Sequence, residues 1–133
     1  MNSIIYGSSG KNTYNMKPII KIKRVYDEPR KIDGFRILVD RLWPRGVSKE
    51  EAAIGVWEKG LAPTTSLREW FGHDPERWPE FQKKYKKELK TNPEMDRFIE
   101  SYGDKKLITL VYGAKDEAHT HAIVLQHFLE EFF

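Results

Sequence analysis

Residues Leu107 to Tyr112 read LITLVY, an apolar run broken only by Thr109. The loop GAKDEAHT follows, and after it Val124, Leu125, Phe128, Leu129 and Phe132 recur at helical spacing. A continuous apolar strand, a loop and an amphipathic helix form the half-unit of an α/β sheet. A chain ending this way needs partner strands on either side and more helix to cover the sheet.

The rest of the chain supplies both. IIKIKRVY, from Ile19 to Tyr26, alternates apolar and basic residues and reads as a strand with one wet face. FRILVDRL, from Phe35 to Leu42, carries the run Ile37-Leu38-Val39 and reads as a more buried strand. The connector DEPRKIDG is short for a parallel crossover, which takes about a dozen residues or more. Either these two strands form a hairpin, or a compact turn joins strands that are not neighbours.

The middle of the chain is helical in pattern. Ser48 and Glu51 have capping-box spacing, and the helix they start is expected to stop near Gly60. Thr65 or Ser66 can cap a short helix through Leu67, Trp70 and Phe71. Asp74-Pro75 is a cap and first position for a helix carrying Trp78, Phe81, Tyr85 and Leu89 opposite Lys83, Lys84, Lys86 and Lys87. Pro79 should delay or kink its first turn. A further helix runs from Pro93 to Tyr102 and ends at Gly103. The expectation is one α/β domain over residues 16–133, a small mixed or mostly parallel sheet flanked by helices. Residues 1–15, rich in Ser, Asn and Gly, read as a disordered leader or tag.

Composition removes several chemistries. The chain has 133 residues, 39% hydrophobic, and no cysteine. A disulfide, a thiol nucleophile, a thiolate metal site and a Cys-ligated iron–sulfur cluster are therefore impossible. There is no Gly-rich phosphate loop and no GxSxG elbow. No apolar run approaches the ~20 residues that span a bilayer. The charge of +3 is uneven: Lys17 to Lys49 holds ten Lys/Arg against four Asp/Glu. A basic segment beside acidic ones suits an anionic ligand, and equally suits ordinary solvated edges.

Ligands of open α/β sheets bind at the carboxyl ends of strands. Two loops qualify: Asp40 to Gly46, leaving the second strand, and Gly113 to His121, leaving the last. If those strands are parallel neighbours, Arg41, Arg45 and Lys115 could converge on an anion. Arg24, Trp43 and His119 complete the ligand-binding candidates. Asp40, His73 and Asp116 are the candidates for proton transfer. Each has a structural alternative. Asp40 and Arg41 can be an ion pair at a strand end, Trp43 a packing residue, Asp116 the cap of the last helix, and His73 a hydrogen-bonded turn residue. His119 and His121 could share a metal only in a loop. Too few ligands accompany them for zinc, so no metal and no cofactor is expected.

Lys23-Arg24-Val25-Tyr26-Asp27, the stretch from Asp33 to Gly46, Leu61-Ala62-Pro63, Leu67 to Pro75 and Thr109 to Asp116 together mark the chain. In this order they resemble the YeaO-like family, part of the uncharacterised group called domain of unknown function 488. The resemblance implies a small α/β cytoplasmic protein of bacteria or archaea, and it brings no established activity. The chain departs from the family pattern at Thr120 and His121, where members tend to carry an Asn, and at Pro79. More distant members carry a cysteine at the end of the last strand, where this chain has Tyr112, so cysteine chemistry does not transfer. The leading expectation is a binder, or an enzyme, for an anionic small molecule, phosphorylated or nucleotide-like. The alternatives are a nucleic-acid-binding module and a non-catalytic protein-interaction domain.

Overall fold

A computed structural model describes residues 17–133, and the leader 1–15 lies outside them. Four strands form one sheet: β1 (Ile19–Arg24), β2 (Phe35–Leu38), β3 (Val56–Trp57) and β4 (Leu107–Tyr112). Their spatial order is β1-β4-β2-β3, and every pairing is parallel. The apolar LITLVY run is thus a central strand, with Ile108, Leu110 and Val111 fully buried. Between β1 and β2 there is no hairpin. The connector runs back along the sheet, turning through a 3₁₀ segment at Lys31–Asp33, and delivers β2 to the far side of β4.

The period-two alternation of strand side chains divides the core into two layers. Ile20 pairs in register with Ile108, Ile37 with Leu110 and with Val56, so these point to one face. That face carries the main core, closed by α2 (Thr65–Phe71), α3 (Trp78–Thr91), α4 (Glu94–Tyr102) and α5 (His121–Phe132). Phe81, Tyr85 and Leu89 of α3 are buried as the spacing predicts, and so are Val124, Leu125, Phe128 and Leu129 of α5. Phe132 is exposed instead, on the last turn of α5. The opposite face holds a thinner layer of Val25, Leu38, Ala52 and Val111, flanked by Trp43, Val47, Ile54 and Trp57.

Two boundaries differ from the sequence expectation, and a third follows it. The capping box at Ser48 and Glu51 is present, but α1 (Lys49–Ala52) makes a single turn. Ala53 then turns left-handed (φ 50°), and Ile54 to Trp57 leave to build edge strand β3 rather than continuing to Gly60. Thr64, not Thr65 or Ser66, caps α2, its hydroxyl accepting from the Leu67 N–H. Asp74 caps a 3₁₀ turn at Pro75–Arg77, and α3 starts only at Trp78, the delay that Pro79 imposes.

On the same face as the thin layer, toward the amino end of β2, lies a buried ionic cluster. Asp33 accepts from Arg36 Nη1 at 2.7 Å, from Lys23 Nζ at 3.1 Å and from the Arg30 N–H at 3.0 Å. Arg36 also donates to the Ala52 and Ala53 carbonyls, the unpaired end of α1. One guanidinium therefore ties β2, the connector and α1 together. Burial alone would raise the Asp33 pKa, but these donors outweigh it and hold the carboxyl below its ordinary value.

Candidate functional site

Past Leu38 the chain keeps one more sheet bond, Val39 N–H to the Val111 carbonyl at 3.0 Å, and then turns away. Asp40 is the first residue off the sheet. Its Oδ2 accepts the Gly113 N–H at 2.9 Å, clasping the carboxyl ends of β2 and β4. A Cβ on Gly113 would lie 3.0 Å from that oxygen and would press on the clasp.

The same corner receives the start of α5. Thr120, buried, caps the helix by accepting the Ala122 N–H. His121 then places Nε2 at 2.9 Å from the Val39 carbonyl and 3.6 Å from Asp40 Oδ1. Its ring lies edge-on to Tyr85, with centroids 5.9 Å apart. The side chains of Asp40 and His121 are 19% and 15% exposed. Burial raises the Asp40 pKa, a shift that His121, the Gly113 N–H and His73 partly oppose. Burial likewise lowers the His121 pKa, against the pull of Asp40 and the Val39 carbonyl.

These groups form the inner wall of a cleft of about 290 Å³. Its other walls come from Arg41 to Arg45, Ala62 and Pro63, Arg68, Phe71 and His73 of the α2 end, Phe81, and His119. Of the candidates read from sequence, Asp40, Arg41, Trp43, Arg45, His73 and His119 line it, whereas Arg24, Lys115 and Asp116 do not. Arg41 donates to the carbonyls of Pro63 and Ala62, at 3.0 and 3.1 Å, and makes no ion pair with Asp40 among the described residues. Trp43 donates its indole N–H to the Val47 carbonyl and packs edge-on to Trp57. Arg45 is exposed, its guanidinium without a hydrogen-bond partner among the described residues, while its carbonyl accepts from Tyr26.

Arg24 braces the rim, donating to the Ala114 carbonyl at 2.9 Å beneath the Tyr26 ring. Lys115 is exposed on the loop. Asp116 does not cap α5. It folds its own loop, accepting from the Ala118 and His119 N–H groups and from His119 Nδ1 at 2.7 Å. The His119 bond is the main reason its pKa is lowered. His119 thereby stands edge-on to Trp78. His73 follows Gly72, and both are left-handed, with φ of 57° and 54°. Glycine adopts this freely. Histidine does so rarely, so a cleft residue is held there against its preference.

Sequence reasoning missed His121 and Arg68. Sequence spacing offers His121 as a metal partner of His119, yet the two rings bond different groups. No cluster of three or more His, Asp or Glu able to hold a metal occurs among the described residues. Arg68 lay in plain view in the motif LREWFGHDP, but only the fold brings α2 over the strand ends.

Fold, clasp and motif together define a small parallel α/β domain with a cleft at the carboxyl ends of its central strands. The chain belongs to the family described as the inactive DUF488-N3 subclade, whose model matches residues 19–133. Among curated relatives it is similar to the uncharacterised protein YeaO of Escherichia coli K12, 39% identical over 83% of this chain and 96% of that protein. It is also similar to the uncharacterised protein Rv3073c of Mycobacterium tuberculosis H37Rv, 37% identical over 83% of this chain and 92% of that one. No solved structure matches. No helix among the described residues is long and apolar enough to cross a membrane.

Proposed function

We propose that this protein binds an anionic small molecule, phosphorylated or nucleotide-like, in the cleft at the carboxyl ends of β2 and β4, and that it acts in the cytoplasm. One observation carries the reading. The cleft gathers three guanidinium groups, Arg41, Arg45 and Arg68, and three imidazoles, His73, His119 and His121, around the single carboxylate of Asp40. Cationic groups gathered in a concave, partly apolar pocket favour an anion. Arg45 and Arg68 carry the recognition, because both are exposed at the cleft, while Arg41 holds its own wall together. Phe71, Phe81 and Pro44 offer an apolar surface to the rest of the ligand.

Binding is favoured over catalysis. The description of the matched family includes the word inactive. Tyr112, buried at the end of β4, has a phenol whose pKa burial raises further, which keeps it a poor nucleophile. The nucleic-acid alternative is weakened by the fate of the basic segment. Lys21, Lys23, Arg24, Arg36 and Arg41 all bond to the protein itself.

The test is a thermal-shift titration with inorganic phosphate, nucleoside monophosphates and short single- and double-stranded DNA at physiological salt. The expected result is stabilisation by at least one small anion, lost in Arg45→Ala combined with Arg68→Ala, whose ligand-free melting temperature stays near wild type. Equal stabilisation of the double variant, or DNA binding that falls steeply with added salt, would overturn the reading.

A further inference from the structure

On the buried wall of the proposed anion site, His121 has a ring nitrogen that its surroundings leave unused. His121 Nε2 faces the Val39 carbonyl at 2.9 Å, and a carbonyl only accepts. The ring must therefore carry its proton on Nε2, which leaves a lone pair on Nδ1. Among the described residues Nδ1 has no hydrogen-bond partner, although the side chain is 15% exposed and lines the cleft. A lone pair repels the oxygen of an anion. An oxyanion reaching this wall meets an acceptor, unless the ring takes a second proton and both nitrogens become donors.

The surroundings are set for that second proton. Asp40 Oδ1 lies 3.6 Å from Nε2 and can stabilise an imidazolium. Asp40 is itself held by the Gly113 N–H at 2.9 Å, so the pair has a fixed geometry. The other groups facing His121 are His73 from the α2 end, which opposes a positive charge, and the Tyr85 ring from α3, whose hydroxyl donates to the Leu61 carbonyl. Burial favours the neutral ring. A bound anion supplies the missing charge.

Resting on the reading of the cleft as an anion site, we infer that His121 is the group that reads the ligand: Nδ1 takes a proton from solvent and donates it to an oxyanion oxygen, while Nε2 stays bonded to Val39. The cleft then captures an oxyanion and a proton together. Phosphate monoesters and carboxylates fit this chemistry, and neutral ligands do not. Anion affinity rises as pH falls toward the range in which histidine titrates.

Nitrogen-15 NMR of the imidazole rings tests this with the intact protein and inorganic phosphate as probe. Without phosphate, His121 should show the Nε2–H tautomer and titrate below a free histidine. With saturating phosphate its midpoint should rise by about one pH unit or more, corresponding to a preference of about tenfold for the protonated ring. Asp40→Asn should shrink that rise, and His121→Gln should abolish proton uptake in calorimetry run in two buffers of different ionisation enthalpy. An Nδ1–H tautomer, or a His121 midpoint that stays put while the Arg45 and Arg68 amides respond to phosphate, overturns the inference and leaves the anion site standing. No response at any of these positions overturns both.

Discussion

Two aspartates flank β2, one just before the strand and one just after it, and both lie in partly or fully buried surroundings. Asp33, at the amino end, is saturated: two cations and a backbone N–H converge on it, and its pKa is pulled down. Asp40, at the carboxyl end, has one backbone N–H and a histidine at 3.6 Å, and its pKa is pushed up. The same residue type does opposite work because its partners differ. A satisfied buried charge locks elements together, whereas a partly satisfied one beside a cleft can still respond to a ligand.

The comparison breaks most visibly if its amino end is cut. Arg36→Met strips Asp33 of its closest partner and leaves the α1 carbonyls without a donor. Loss of one member of a buried pair costs about 3–5 kcal/mol, and urea denaturation should show a loss of that order. Gly113→Ala attacks the other end by forcing a Cβ against Asp40 Oδ2. It should cost about 1–3 kcal/mol, the range for a lost or strained buried hydrogen bond, and should blunt any ligand response as well.

Acid titration of stability should separate the two ends on the pH axis. His121 has a lowered folded pKa, so the unfolded chain binds its proton first. Stability should begin to fall as pH drops below about 6.5, and His121→Gln should remove that early loss. Asp33 also has a lowered folded pKa. Its contribution is complete above about pH 4 and disappears only as pH falls further through the folded value. Asp40 acts in the opposite sense, its burial costing stability as pH rises from about 4 through its raised folded pKa. The smallest effect on stability belongs to His73→Gly. Relief of left-handed strain, about 1–2 kcal/mol, is offset in large part by the entropy that glycine adds to the unfolded chain, about 0.5–1 kcal/mol, leaving a net change of roughly 0–1.5 kcal/mol. Its melting temperature should stay close to wild type while phosphate binding weakens.

Alternation reveals β1, continuous apolar runs reveal β2 and β4, and helical spacing of apolar residues reveals the long helices. These patterns could not show β4 inserting between β1 and β2, since strand order depends on pairings distant in sequence. Edge strand β3 escaped because Val56–Trp57 is too short to show alternation and follows a genuine helix cap. At the cleft, the motif from Asp40 to Arg45 was visible as unusual chemistry. The roles of its members were not: Arg41 turned out to bond two carbonyls, and Asp40 to meet Gly113 and His121 from the far end of the chain.

The most direct measurement is amide chemical-shift mapping of the intact protein titrated with inorganic phosphate at physiological salt. The predicted result is a confined set of changes at Asp40–Arg45, Arg68–His73 and Gly113–His121, with Lys23, Asp33 and Arg36 unmoved. Changes centred on the Asp33 cluster, or spread along the Lys83–Lys90 face of α3 with the cleft silent, would contradict the account.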